Sequence, residues 1–440
     1  MLIKYSIKNF RSIKNEITLS FEANNTDELS EYYIVRPKEG LRLLKLGIIY
    51  GANASGKTTI LLALNFLRNL ILEPFEKKTE NFNFEPFLFD ADTPSENTFF
   101  TIEFIQNKIK YHYEIELNKN SIIREKLFNH NPNKALVYER KTNASKQFTE
   151  ITFGTKIKIK KESKDALIGN TLWNNTVLGG YLKTNFESKE LQDVIDWFEN
   201  KLEKMIEPKI NLVSLISNHI LKGKIKKEHI IEILKKADFG ISNIFIKNGD
   251  NNEFGEKIIN MLAKEAGIPY GKVKHLKEQN NLEATETLLQ HSVGHLSYLL
   301  PIAEESAGTK RYYEFSGLLS LIIAGKKILP IDELESSLHP DLIKHFLLTF
   351  LVNSHEAQLI ATTHYRELLM ERDILRNDAI WFTEKKEDGS TDLFSLNDFD
   401  SSVVRNTSSI YNAYKIGKLG AVPKLNDYYL NLANEEEKIS

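Results

Sequence analysis

The stretch from Leu44 to Thr59 constrains this chain more than any other: Leu-Lys-Leu-Gly-Ile-Ile-Tyr-Gly-Ala-Asn-Ala-Ser-Gly-Lys-Thr-Thr. The apolar run Leu46 to Tyr50 reads as a buried strand. It breaks at Gly51, and Gly56-Lys57-Thr58 opens an apolar-periodic helix from Thr59 to Leu72. The spacing is G-x-x-x-x-G-K-T, a phosphate-binding loop. Glycines let backbone N–H groups turn inward around a phosphate, and the helix N-terminus adds favourable partial charge. Lys57 can reach the β- and γ-phosphates, and the Thr58 hydroxyl can ligate Mg²⁺. A plain Gly/Ser turn before an ordinary helix explains neither the lysine nor the strand–helix context. The stretch predicts a nucleotide-binding protein.

Composition sets wider bounds. The 440 residues are enough for a large core or two lobes. There are 58 Lys and Arg against 60 Asp and Glu, a balance that neither demands nor excludes a nucleic-acid partner. The absence of cysteine removes disulfides, thiol nucleophiles and Cys-ligated metals. Met1 to Tyr5 lacks the apolar core of a signal peptide, and the most apolar stretch, Leu318 to Ala324, is too short to span a bilayer. The expectation is a soluble, cytoplasmic protein with no membrane contact.

Residues 1–22 alternate as two strands, Leu2 to Ile7 and Glu16 to Phe21, around a turn at Asn9 to Lys14, and Asn24 to Gly40 reads as a loop. From Phe82 to about Lys160, short alternating runs such as Phe99 to Ile105 and Ile109 to Leu117 predict an antiparallel β region appended to the nucleotide-binding sheet. From Ser163 to Gln290 the period becomes helical, as in Leu191 to Phe198 and His229 to Leu234, with Gly240, Gly249, Gly255 and Gly267-Ile268-Pro269 as punctuation. The basic run Lys222 to Lys227 reads more readily as a solvated helix start than as a nucleic-acid contact. The expected organisation is an N-terminal lobe (1–162), a mostly helical insert (163–290) and a C-terminal lobe (291–440).

The C-terminal part supplies the other half of a phosphate site. Lys327-Ile328-Leu329-Pro330-Ile331-Asp332-Glu333 is an apolar strand ending in two carboxylates. Asp332 can hold the Mg²⁺ hydration shell, and Glu333 is placed to polarise an attacking water. Pro330 is a blemish, because it removes a ladder hydrogen bond in a strand expected to be central. Glu305-Ser306-Ala307-Gly308-Thr309 precedes the apolar-periodic stretch Tyr313 to Ala324. Its Ser-x-Gly suits an anion site at a helix N-terminus and equally an ordinary Ser N-cap. Ala357 to His364 is a strand ending in Thr-Thr-His. His364 there suits a γ-phosphate sensor, or a routine strand-end hydrogen bond.

The order of phosphate loop, β region, helical insert, Ser-x-Gly, Asp-Glu and Thr-Thr-His resembles the ABC-type ATPases that are not transporters, the group of the SMC, RecF and overcoming-lysogenization-defect (OLD) proteins. The resemblance covers about residues 1–160 and 291–440. Within the group, it is similar to the prokaryotic abortive-infection (AbiL-like) ATPases. The features that carry this are Glu305 to Thr309, Asp332-Glu333 with Leu338-His339-Pro340, Asp378 to Phe382 with Glu384, and Tyr414 to Pro423.

The resemblance implies an α/β fold, a P-loop NTPase of ABC-ATPase type, with an antiparallel β region in the N-terminal lobe and a mostly helical insert. It makes Gly51 to Thr59 the Walker A loop, so that Gly51, Asn53, Ala54, Ser55, Gly56, Lys57, Thr58 and Thr59 bind ATP. Ser306 to Thr309 becomes the signature motif, with Ser306 and Gly308 on the nucleotide. Asp332 and Glu333 become the Walker B pair, with Thr58 and Asp332 on Mg²⁺, Glu333 and His364 catalytic, and Glu335 to Leu338 in the D-loop. The signature departs from Leu-Ser-Gly-Gly-Gln, and no glutamine fits the Q-loop, Gln106 lying at a hairpin turn.

One chain carries one of each motif, so the resemblance implies a homodimer or higher oligomer that sandwiches ATP. It further implies antiphage defence with a separate effector such as a TOPRIM-type nuclease, since about 75 residues after His364 are too few for an appended domain of that kind. The alternatives are a RecF/SMC-like DNA-repair ATPase that binds DNA directly, and a regulatory module that binds ATP without turnover. Glu333 speaks against the last. A transporter subunit fits least.

Overall fold

The computed structural model describes residues 1–155, 157, 159–248, 285–293, 296–399 and 410–422. Strands β1 (Leu2–Lys8) and β2 (Ile17–Ser20) pair antiparallel across the expected turn. The segment read as a loop contains a helical turn, Ser30–Tyr33, and a small hairpin, β3 (Ile34–Lys38) with β4 (Leu41–Leu44). Tyr33, fully buried, draws this segment onto the core. Then come β5 (Leu46–Gly51), buried at every position, and helix α1 (Lys57–Leu72). Continuous apolar character suits β5 to a parallel strand covered on both faces.

Five strands follow: β6 (Thr98–Gln106), β7 (Ile109–Leu117), β8 (Ile122–His130), β9 (Lys134–Asn143) and β10 (Phe148–Phe153). They do not extend the sheet of β5. They join β1 and β2 in a separate seven-stranded antiparallel sheet of order β10-β9-β8-β7-β6-β1-β2. The reason lies in the register of β1, whose free edge pairs with β6 from Leu2↔Phe104 to Lys8↔Phe99. Helix α1 packs on this sheet. Tyr5 donates its hydroxyl to the carbonyl of Ile60 at 2.7 Å, and Phe66 lies 5.5 and 5.7 Å from the rings of Phe10 and Phe100.

The insert begins with α2 (Lys161–Asn170), α3 (Val177–Leu182) and α4 (Lys189–Asp196), the last running into a π turn, Trp197–Lys201. Trp197 stacks on Phe104 at 4.1 Å, which fastens this part to the seven-stranded sheet. Helices α5 (Val213–Leu221) and α6 (Lys227–Lys236) follow, with the basic run forming the turn between them and Lys227 opening α6. The helical expectation does not hold to the end of the insert. Strands β11 (Ile241–Asn248), β12 (Thr285–Val293) and β13 (Leu296–Pro301) form a three-stranded antiparallel sheet, favoured in β11 by the β-branched Ile241, Ile244 and Ile246, with a register shift between Ile241 and Asn243. The boundaries expected at 162/163 and 290/291 therefore fall inside α2 and β12. Gly249, Gly255 and Gly267 to Pro269 lie outside the described residues, as does Pro423.

The last part comprises α7 (Ala307–Gly325), β14 (Ile328–Ile331), α8 (Pro340–Asn353), β15 (Gln358–Thr363), β16 (Ile380–Lys385), β17 (Thr391–Ser395) and α9 (Ile410–Lys415). Their strands build the nucleotide-type sheet, β14-β15-β5-β16-β17, parallel except for β17. The strand ending in Asp-Glu is thus not central. It meets β15 on one side and, on the other, only the isolated bridges of Leu202 and Ile206. Pro330 accepts a hydrogen bond from Ile206 N at 2.9 Å. In a parallel ladder the N–H and C=O of one residue face the same neighbour, so the missing N–H of Pro330 faces this irregular segment and β15 loses nothing. Among the described residues no helix is long and apolar enough to cross a membrane.

Candidate nucleotide-binding site

The C-terminal ends of β5, β14 and β15 converge on a cleft of about 460 Å³. It is lined by residues 53–59 of the glycine loop and α1, with Glu333, His364 and Ser12. The two loop glycines have separate reasons. A Cβ on Gly51 would lie 2.2 Å from Thr383 Oγ1 of β16, so only glycine lets the loop leave β5 against that strand. Gly56 combines a left-handed φ of 100° with an approach that would put a Cβ 2.0 Å from Thr391 Oγ1 of β17. Ser55 fastens the loop further through a 2.6 Å hydrogen bond with the Thr383 hydroxyl.

Lys57 folds back over the loop, its Nζ donating to the carbonyls of Gly51 at 2.9 Å and Ala52 at 3.0 Å. Burial pushes its ammonium down to about 8, against the opposing pull of Asp332, Glu335 and Glu333. Thr58, in the first turn of α1, donates its hydroxyl to Asp332 Oδ1 and Oδ2 at 3.1 and 3.0 Å. Asp332, buried just past β14, also accepts from the Thr362 hydroxyl at 2.6 Å. Glu333 follows in a left-handed conformation, φ 49°, its N–H donating to Thr362 Oγ1 at 2.9 Å. A non-glycine held there is strained, and such residues cluster at working sites.

His364 follows directly on β15, its N–H donating to a carboxylate oxygen of Glu335, whose other oxygen accepts from Thr363 Oγ1 at 2.7 Å. Burial, then the charge of Lys57, holds the His364 imidazole below its ordinary value, which favours the neutral form. Ser306 and Gly308 do not line the cleft. Ser306 caps α7, its Oγ accepting from Thr309 N at 3.0 Å, and the preceding Glu305 holds His291 of β12 at 2.6 Å. Gln106 pairs with Ile109 at its hairpin, and no glutamine is among the residues lining the cleft. Asp378 pairs with buried Arg376 at 2.8 Å, and Tyr414 packs on Phe382 at 5.4 Å behind β5.

Two further hydroxyls, Ser12 on the cleft wall and Thr362 buried behind it, support the site. Ser12 bonds Thr59 Oγ1 at 3.1 Å and accepts from Thr391 Oγ1 at 2.8 Å, which brings the β1–β2 turn to the rim. Thr362 bridges Asp332 and Glu333. The Thr-Thr-His string marks the place of Thr362, while nothing in a lone serine marks Ser12. The donor set suits a hard cation. A hydroxyl and a carboxylate already share a hydrogen bond, and among the described residues no three acidic or histidine side chains cluster into a cage. Mg²⁺ beside a phosphate needs only one or two protein oxygens.

A family model described as "AAA domain, putative AbiEii toxin, Type IV TA system" matches residues 47–371, 325 of the 440 residues. The chain belongs to this AAA-domain family. The match runs from β5, through the glycine loop, past His364. With the sheet order above, the fold is that of a P-loop NTPase of ABC-ATPase type, a nucleotide-binding class. No curated protein matches the chain. Three solved structures resemble it. A crystal structure of the SmcHead bound to the C-winged helix domain of ScpA has 13% identity and a TM-score of 0.45, covering 90% of this chain and 99% of that one. The SMC head domain from Thermotoga maritima has 13% identity and a TM-score of 0.40, over 90% and 98%. The Pyrococcus furiosus Smc head with an extended coiled coil, bound to the C-terminal domain of ScpA, has 14% identity and a TM-score of 0.38, over 95% and 98%.

Proposed function

We propose that this AAA-family protein binds and hydrolyses ATP as a nucleotide-driven dimeric switch in antiphage defence of the abortive-infection kind, acting on a separate effector such as a TOPRIM-type nuclease. One observation carries the reading. The cleft gathers the glycine loop, Glu333 and His364, while Ser306 and Gly308 stand outside it at the start of a 19-residue helix. A second copy would bring that helix end to the open side of the cleft. The defence role takes its support from the family description, which names an AbiEii-type toxin.

In this reading Lys57 leaves the carbonyls of Gly51 and Ala52 to pair with β/γ-phosphate oxygens, and the loop N–H groups and the α1 N-terminus hold the remaining charge. Thr58 and Asp332 would hold Mg²⁺, which would offset the negative charge of the phosphates. Glu333 accepts the proton of the attacking water at its carboxylate. Thr362 orients both carboxylate residues. Neutral His364 contributes an imidazole hydrogen bond toward the γ-phosphate.

The test is Ser306→Arg in a Glu333→Gln background. Cysteines introduced across the two seams should crosslink with ATP when Ser306 is present. They should fail to do so in the Ser306→Arg variant, while ATP still binds. Persistence of crosslinking in that background, and of turnover in Ser306→Arg alone with Glu333 intact, would reduce Ser306 to a plain cap. Turnover stimulated by DNA, with no other protein, would favour the RecF/SMC-like alternative.

A further inference from the structure

A second cavity, of about 400 Å³, lies along the face of α1 between that helix and the segment around Phe75 and Phe82. It shares no lining residue with the nucleotide cleft. Its size is within the range of about 300–1,000 Å³ usual for small-ligand sites. Phe66, Phe75 and Phe82 supply aromatic walls, the last two rings 5.5 Å apart. Phe66 and Phe75 are only partly buried, so ring surface remains open to a guest.

The polar groups are what make this more than a gap. Asn65 and Asn69 stand one turn apart on α1, so their side chains are neighbours. Asn65 Oδ1 accepts from Met205 N at 3.2 Å, which fixes the amide and leaves its NH₂ without a partner among the described residues. Asn69 Oδ1 is buried and unpartnered. No bond fixes the Asn69 amide, so it can present either its oxygen or its NH₂. A buried polar atom left unmet is unfavourable to the fold. A guest that returns that energy must offer an acceptor to Asn65, a complementary group to Asn69, and a flat face to the phenylalanines.

We propose that this cavity binds a nucleobase or nucleoside, as an effector site separate from the phosphate cleft. Purines and pyrimidines carry acceptors and donors side by side on one edge and stack on aromatic rings; of the two charged residues that line the cavity, Glu73 is paired with Lys204 at 3.2 Å and Arg11 belongs to the β1–β2 turn, so the amides and the rings are left to select a guest. The site is coupled to the cleft by construction. Phe10 and Arg11 line the cavity, and the next residue, Ser12, lines the cleft and bonds Thr59. Occupancy of either site biases the same β1–β2 turn, and any such linkage is reciprocal.

The experiment is ligand-observed NMR and calorimetry on the full chain with adenosine, guanosine, cytidine and uridine, each with and without saturating ATP in EDTA. At least one nucleoside should bind, and should still bind when ATP is present. Asn69→Leu should weaken it about tenfold, and Phe75→Leu, at a partly exposed position that keeps the fold readable, by a similar factor through lost stacking. Binding of no nucleoside, loss of all binding once ATP is added, or affinities unmoved by both substitutions would each overturn the proposal, leaving a cavity that holds water only.

Discussion

Thr58 Oγ1 lies 3.1 and 3.0 Å from the two carboxylate oxygens of Asp332, although 274 residues separate them in the chain. The hydroxyl at the start of α1 and the carboxylate past β14 thus satisfy one another across the sheet. A cation would have to take over that bond. Asp332→Asn keeps an acceptor for Thr58 and removes the charge. Affinity for ATP with Mg²⁺ should fall about tenfold or more, while affinity in EDTA should hold or rise, since a carboxylate beside phosphate is repelled. Calorimetry with and without metal makes the comparison, and an equal loss in both would rule out the metal role.

Lys57→Ala removes a charge-assisted contact to phosphate, so nucleotide affinity should fall by about an order of magnitude or more with the fold kept. Titration calorimetry on protein with an unchanged circular dichroism spectrum is the measurement.

The same lysine gives a pH signature. Burial lowers it from 10.5 to about 8, so between those values the folded chain binds fewer protons than the unfolded one. Nucleotide-free protein should therefore gain stability as pH rises from about 8 toward 10.5. Lys45, buried against the carbonyls of Leu351 and Ser354 and likewise pushed down to about 8, adds a gain of the same sign. Lys57→Met should lose the part of the gain owed to position 57. Phosphate restores the charge, so ATP binding near pH 8 should take up about half a proton, read from calorimetry in buffers of different ionisation enthalpy.

Glu333→Gln retains size and hydrogen-bonding reach but not basicity. It should bind ATP like the parent and turn over about 10²–10⁴-fold more slowly. Single-turnover rates beside equilibrium binding separate the two effects. A parental rate would assign the proton transfer to another group.

Gly56→Ala should be poorly tolerated. A left-handed φ at a non-glycine costs about 1–3 kcal/mol, and the new methyl would meet Thr391. Urea unfolding of Gly56→Ala and of Gly56→Ala with Thr391→Ala should show partial recovery in the double variant. Absence of any recovery would place the whole effect in the backbone.

The glycine loop, both carboxylates and the strand-end histidine are legible in the sequence because each sits in a local string whose chemistry is unusual: Gly-Lys-Thr after a strand, Asp-Glu after an apolar run. Ser12, Thr383 and Thr391 are not. Each is an ordinary hydroxyl, and its role exists only because the sheet order β14-β15-β5-β16-β17 brings distant strand ends together. The division into sheets is hidden for the same reason. Alternation in Phe99 to Ile105 announces a strand, but not that its partner is β1. Pro330 misleads because the sequence shows a missing donor without showing which neighbour it would have faced.

The loop after β14 and the end of β15 are joined at five points: the Thr362 hydroxyl to Asp332, Glu333 N to Thr362 Oγ1, Leu334 N to Thr362 O, and the Glu335 carboxylate to both the Thr363 hydroxyl and the His364 N–H. Two such strand ends cannot be adjusted one at a time. Substitution effects at Glu333 and His364 should therefore fail to add, and a double-mutant cycle between them should show coupling even though neither side chain need touch the other. Any rate change measured for one position alone describes the pair.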